Sequence, residues 1–168
     1  MSQTRLAKAS YLRSFIFGVE DSLVSTVGLL SGIAMAGVAR GTILTTGIIL
    51  ILVEAFSMAA GSFLSETSVE EYQGISPNRV PLIDGSIMFM SYVLAGLVPL
   101  VPYMYFETDI AFEISIGLAL LALLVLGMFG GMYSNSAKKN VFRRGMRMLL
   151  IGGVAIVVGV VAGKITGF

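Results

Sequence analysis

Glu54 stands within an apolar stretch, Ile43–Leu64, where a bare charge facing hydrocarbon is expensive and marks a functional candidate. Met58 follows at four residues, Gly61 at seven and Ser65 at eleven, spacings that share one face of a helix. A carboxylate, a thioether, a gap and a hydroxyl in one column form a ligand set for a cation in transit. Because a carboxyl holds either a proton or a cation, Glu54 suits proton-coupled transport. The plainer reading of Glu54 is a polar contact with a neighbouring helix. Glu20 and Asp21 form a second candidate, with Asp21, Ser25, Gly28 and Gly32 along one face. They are expected at the start of the first membrane helix, where a helix dipole also favours a carboxylate, so position leaves both readings open. Glu66, Glu70 and Glu71 follow as a possible cytoplasmic entry for metal, Glu66 and Glu70 facing together if their helix continues into water. A solvated acidic face is the alternative.

The chemistry open to these residues is narrow, because the 168-residue chain has no Cys, His or Trp. Thiolate and imidazole sites, disulfides and histidine proton shuttles are excluded, and no nucleophile–base constellation or cofactor motif points to an enzyme. Carboxylate, hydroxyl and carbonyl oxygens suit hard or borderline divalent ions such as Mn²⁺ and Fe²⁺, and a thioether adds tolerance for softer ones. Most of the ten Met residues read as core filler; Met58 is singled out by its place beside Glu54. No basic patch with interleaved aromatics suggests nucleic acid.

These residues need a bilayer around them. Hydrophobic residues make up 56% of the chain and charged ones 12%, against about 25% charged in a soluble domain, and mean hydropathy is +0.91. Five apolar segments, Ser22–Ala39, Ile43–Leu64, Ile83–Tyr103, Ile110–Tyr133 and Met148–Thr166, are each long enough to cross about 30 Å of hydrocarbon as a helix. The expectation is an all-α membrane bundle in a single domain, 1–168. With the N-terminus in the cytoplasm and the C-terminus outside, nine of the eleven Lys and Arg fall inside and only Arg40 and Lys164 outside, as the positive-inside rule requires. Arg40-Gly41-Thr42 predicts a tight antiparallel pair of helices one and two. Tyr103, Tyr105 and Phe106 are expected in an outer aromatic belt, and Tyr11, Phe15 and Phe17 in an inner one. The four-residue spacings Gly28/Gly32, Gly127/Gly131 and Gly159/Gly163 let backbones approach closely, within one bundle or between subunits.

Four stretches together resemble a known family: GVEDSLVSTVGLLSGIAMAG (Gly18–Gly37), EAFSMAAGSFLSETSVEEY (Glu54–Tyr72), AGLVPLVPY (Ala95–Tyr103) and RRGMRMLLIGG (Arg143–Gly153). In this order, over nearly the whole chain, they are similar to the vacuolar iron transporter family. The resemblance implies five membrane helices, a two-fold homodimer, and export of Fe²⁺, often also Mn²⁺, from the cytosol in exchange for protons. It implies an ion path between protomers, lined by helices one and two, with Asp21 and Met58 on it; Glu54 and Ser25 complete the expected set. Metal and protons would be substrate and counter-ion, with no resident cofactor. Two features depart from the family pattern. The long glutamate-rich cytoplasmic domain of plant-type members is replaced by Glu66–Leu82, and the family's membrane glutamate falls near Leu50, one turn before Glu54. The compact chain suggests a prokaryotic cell membrane. A metal sensor or assembly subunit that does not transport, or a carrier for another cation, is the competing reading.

Overall fold

The computed structural model describes residues 3–75, 79–133 and 138–167, with side chains over 7–75, 79–130 and 141–167. Gly131 and Met132, and the side chains of Arg5, Lys138 and Lys139, lie outside the described side chains. Among the described residues all regular structure is helical: α1 (Gln3–Met35), α2 (Arg40–Tyr72), α3 (Val80–Leu100), the single turn α4 (Pro102–Tyr105), α5 (Thr108–Tyr133) and α6 (Lys138–Thr166). All but α4 are long and apolar enough to cross a membrane, so the chain is an integral membrane protein.

The helices outrun the apolar segments that announced them. α1 starts at Gln3 rather than near Ser22, because its polar beginning is rich in Ala, Leu, Lys and Arg, all good helix formers, whose charges hydropathy counts against a span. Likewise α2 continues past Leu64 to Tyr72, carried by Glu and Ser into a polar extension. Pro102 removes a backbone donor near the end of α3, and the hydroxyl of Ser115 on α5 donates to the Pro99 carbonyl at 2.7 Å.

α1 is the central helix, packed against α2, α3, α5 and α6. Neighbouring positions advance together between α1 and α3 (Ser14 with Asp84, Ser22 with Tyr92) and between α1 and α6 (Gly28 with Ala155, Gly32 with Gly159), so these three helices run in parallel. They advance oppositely between α2 and α3 and between α5 and α6. The chain therefore goes up and down through five passes, and its two ends lie at opposite ends of the bundle.

The glycine spacings are resolved within the chain. A Cβ on Gly159 or Gly163 would collide with the carbonyl oxygen of Gly28 or Gly32, so α1 and α6 meet backbone to backbone. By contrast α2 packs mainly on α3 and less on α1; the tight α1–α2 pair is looser than the short connection predicts, and a cavity opens between them. Tyr103, expected in an aromatic belt, is fully buried with Leu30, Ile43, Leu100 and Ala111, because the α4 turn folds it inward. Tyr105 and Phe106 are exposed.

Candidate ion path

α1 and α2 face each other in a simple antiparallel register. Ser10 meets Glu66 and Ser14 meets Ser62, each step four residues on, or about 6 Å along the axis. Continuing the register brings Gly18 to the level of Met58 and Ser22 to that of Glu54. The polar residues on these helices are thus stacked in levels from one end of the bundle into its middle.

The first level is a cleft of about 620 Å³ at the end carrying the start of α1. Arg13, Glu66, Glu70 and Arg79 line it. Arg13 Nη2 lies 3.3 Å from Glu66 Oε2, which also accepts from the Ser10 hydroxyl at 3.1 Å. Glu70 is buried at the cleft wall, whereas Glu71 is exposed and does not line it. The structure therefore brings Glu66 and Glu70 together and leaves Glu71 apart.

The second space, about 920 Å³, lies between α1 and α2 against α3. Ser14 and Glu20 of α1, Met58 and Ser62 of α2, and Met88 of α3 line it. Arg13 borders both spaces. Gly18 lets α1 approach α3 closely beside this space: a Cβ on it would collide with the Ser91 hydroxyl and lie 3.1 Å from the Met88 sulfur.

Deeper still, Asp21 of α1 and Glu54 of α2 lie within electrostatic range of each other and of Tyr92 on α3. The Tyr92 hydroxyl shares a 2.8 Å hydrogen bond with the Ser25 hydroxyl. Asp21 and Glu54 thus lie in the same region as the Ser25–Tyr92 pair, while Met58 sits one turn from Glu54 and lines the adjoining cavity with Glu20. Glu20 and Asp21 are mid-helix residues of α1, far from its start, so the helix-dipole reading of these carboxylates does not hold. Among the described residues no three of His, Cys, Asp and Glu gather as a metal cage within one chain.

Two residues of this region escaped the sequence reading. Tyr92 looks like an ordinary aromatic of an apolar helix, and only its place opposite Ser25 gives it a role. Asp84 is completely buried and accepts from Ser14 at 2.7 Å and Ser62 at 2.9 Å. Its signal was present, an acidic residue two positions into an apolar segment, but its partners lie on two other helices.

Ser57, Gly61 and Ser65 form an exposed stripe on α2 at four-residue spacing that lines the second cavity beside Met58 and Ser62, with open space beside Gly61. Phe56, Val53 and Leu64 are exposed nearby.

The chain is 26% identical over 164 residues to vacuolar iron transporter homolog 1 of Arabidopsis thaliana, covering 90% of this chain and 80% of the relative. It is 26% identical over 176 residues to vacuolar iron transporter homolog 2 of Oryza sativa subsp. japonica, covering 91% of this chain and 89% of the relative. Most of each relative's length is thus shared, so the short α2–α3 connection is no large truncation with respect to them. The model of the VIT family matches residues 12–76 and 67–164, which takes in α2, α3 and α5 whole and most of α1 and α6; a helix bundle with this polar column between its first two spans belongs to the VIT family.

Proposed function

We propose that this chain exports divalent metal, Fe²⁺ and/or Mn²⁺, from the cytosol in exchange for protons, along a path at the two-fold interface of a homodimer. The observation that carries the proposal is that Asp21 and Glu54, on two membrane-spanning helices, lie within electrostatic range of each other, with Met58 one turn from Glu54. Two carboxylates near each other in low dielectric repel, and a divalent cation or protons relieve that repulsion. A group of carboxylates that takes either is the physical basis of an antiport. The relatives' printed names make the cargo iron for those proteins, and family membership brings that expectation to this chain.

Three further features support the reading. Lys8, Arg13, Arg79, Arg143, Arg144 and Arg147 belong to the end at which α1 and α6 begin, and Arg40 and Lys164 to the other, which favours an N-terminus in the cytoplasm. Glu66 and Glu70 then stand at the cytoplasmic mouth, where they concentrate cations. The exposed Ser57–Gly61–Ser65 stripe on α2 lines the second cavity, and a second copy across a two-fold axis would close that cavity on its open side. Such a pairing doubles Asp21, Glu54 and Met58 into a six-ligand set of oxygen and sulfur.

Flux of Fe²⁺ and Mn²⁺ into proteoliposomes tests this. Uptake of either ion that grows with an opposing pH gradient supports exchange. Binding without flux favours the sensor or assembly subunit, and flux of a different cation with neither of these favours the alternative carrier. The chain has no Cys, so Ser57→Cys and Gly61→Cys each place a single reporter on the α2 stripe; disulfide-linked dimers in membranes are the expected result for the two-fold interface.

A further inference from the structure

We infer that Asp84, Ser14 and Ser62 form a separate divalent-cation station inside each protomer, between the cytoplasmic mouth and the Asp21–Glu54 level. The inference rests on the transport reading but adds a site on a third helix, α3, where only α1 and α2 were expected to line the path.

The geometry makes the case. Asp84 Oδ2, Ser14 Oγ and Ser62 Oγ form a triangle with edges of 2.7, 2.9 and 3.4 Å. An octahedral ion with metal–oxygen bonds of about 2.1 Å needs a ligand face with edges of about 3.0 Å. The three oxygens come from three different helices and already stand at that spacing. Hydroxyl protons hold the triangle together; on binding they turn outward and the oxygens' lone pairs face the ion. All three ligands are hard oxygens, the class that Mn²⁺, Mg²⁺ and Fe²⁺ accept.

A second observation is independent of the triangle. Asp84 is 0% exposed, and its other oxygen, Oδ1, is buried with no hydrogen-bond partner among the described residues. A helix brace alone would not call for a carboxylate: Asn or Ser in its place would accept from two serines without a charge to desolvate. A buried carboxylate oxygen left without a donor is costly, and a cation offsets that cost directly.

The level of the site is also what a path requires. Ser14 and Ser62 are one turn inward from Ser10 and Glu66, and both line the 920 Å³ cavity that holds Glu20, Met58 and Met88. A cation leaving Glu66, level with Ser10, would otherwise rise ten residues, about 15 Å, before meeting Glu20, the carboxylate that lines the cavity.

The test is Mn²⁺ binding to the purified full-length chain, read by the loss of the free-ion electron paramagnetic resonance signal, beside Mn²⁺ flux in proteoliposomes. In Asp21→Ala/Glu54→Gln protein the inner site remains, and Mn²⁺ binding is expected to persist. Adding Asp84→Asn is expected to weaken it at least about tenfold, the minimum scale for losing a metal ligand. If Asp84→Asn does not fold, Ser62→Ala removes one hydroxyl at a half-buried position and is expected to weaken binding several-fold in protein that still folds, at a lowered melting temperature because Asp84 loses one of its two donors. Binding unaffected by the folded variant overturns the site and leaves Asp84 a helix brace. Loss of gradient-dependent flux with unchanged Mn²⁺ binding also overturns it, making Asp84 a proton carrier. Asp84-dependent binding without flux in wild type would sink the transport reading and leave the site standing; flux with Asp84-independent binding does the reverse.

Discussion

Arg13 reaches from α1 to Glu66 on α2, and it borders both the cleft at the end where α1 starts and the cavity between α1 and α2. A cation that enters through Glu66 must therefore compete with an arginine for the carboxylate and then pass it.

That relationship gives the first expectation. Arg13 is two-thirds exposed, and pairs of this kind contribute about 0–1 kcal/mol. Arg13→Ala should leave the melting temperature nearly unchanged while lowering the apparent KM for Mn²⁺ several-fold, because Glu66 is released. Initial rates against Mn²⁺ concentration check this; an unchanged or higher KM would show that Arg13 does not guard the mouth.

The α1–α6 crossing sets a contrast between two glycines. A Cβ on Gly163 would run into the Gly32 backbone, whereas one on Gly61 would meet nothing within 4 Å. Gly163→Ala should destabilise by about 1–3 kcal/mol through overpacking. Gly61→Ala should be neutral or stabilising by up to about 1 kcal/mol, the helix-propensity difference, yet it should slow flux because it narrows the cavity that Gly61 lines. Thermal unfolding in detergent and proteoliposome flux separate the two, and equal destabilisation would contradict the packing described.

Tyr92 ties α3 to α1 through the Ser25 hydroxyl and faces Asp21 and Glu54. Tyr92→Phe removes one hydrogen bond and keeps the ring, so stability should fall by about 0.5–1.5 kcal/mol. Flux should fall by a larger factor than that loss implies, because the hydroxyl lies within electrostatic range of both carboxylates. Flux reduced only in proportion to the folded fraction would make Tyr92 structural.

Met58 contributes sulfur where the rest of the path offers mainly oxygen. Met58→Leu conserves volume and removes the thioether. Fe²⁺ flux should drop more than Mn²⁺ flux, since the softer ion of the two gains more from sulfur. A competition assay with both ions reads the ratio directly, and an unaltered ratio would remove Met58 from the selectivity determinants.

Much of this molecule is written in local patterns. The five spans follow from run length and hydropathy, and Glu54–Met58–Gly61–Ser65 follows from helical period. What stayed hidden is of two kinds. The polar ends of α1 and α2 carry charges that hydropathy reads as loop, so Glu20 and Asp21 seemed to begin a helix that in fact starts at Gln3 and runs through them. The other kind is register between helices: nothing local says that Ser14 and Ser62 converge on Asp84, that Tyr92 meets Ser25, or that the Gly28/Gly32 and Gly159/Gly163 spacings are partners in one chain. Tyr103 shows the same limit, since an aromatic near a span end is at home in a belt until the α4 turn buries it.

The central claim is that Asp21 and Glu54 carry metal and protons in exchange. Its most direct test is Mn²⁺ and Fe²⁺ flux in proteoliposomes, with and without a pH gradient, for wild type and Asp21→Ala. The account expects gradient-dependent flux in wild type that falls to the level of empty liposomes in folded Asp21→Ala protein. Undiminished gradient-dependent flux in the variant would contradict it, and so would folded wild-type protein that moves neither ion.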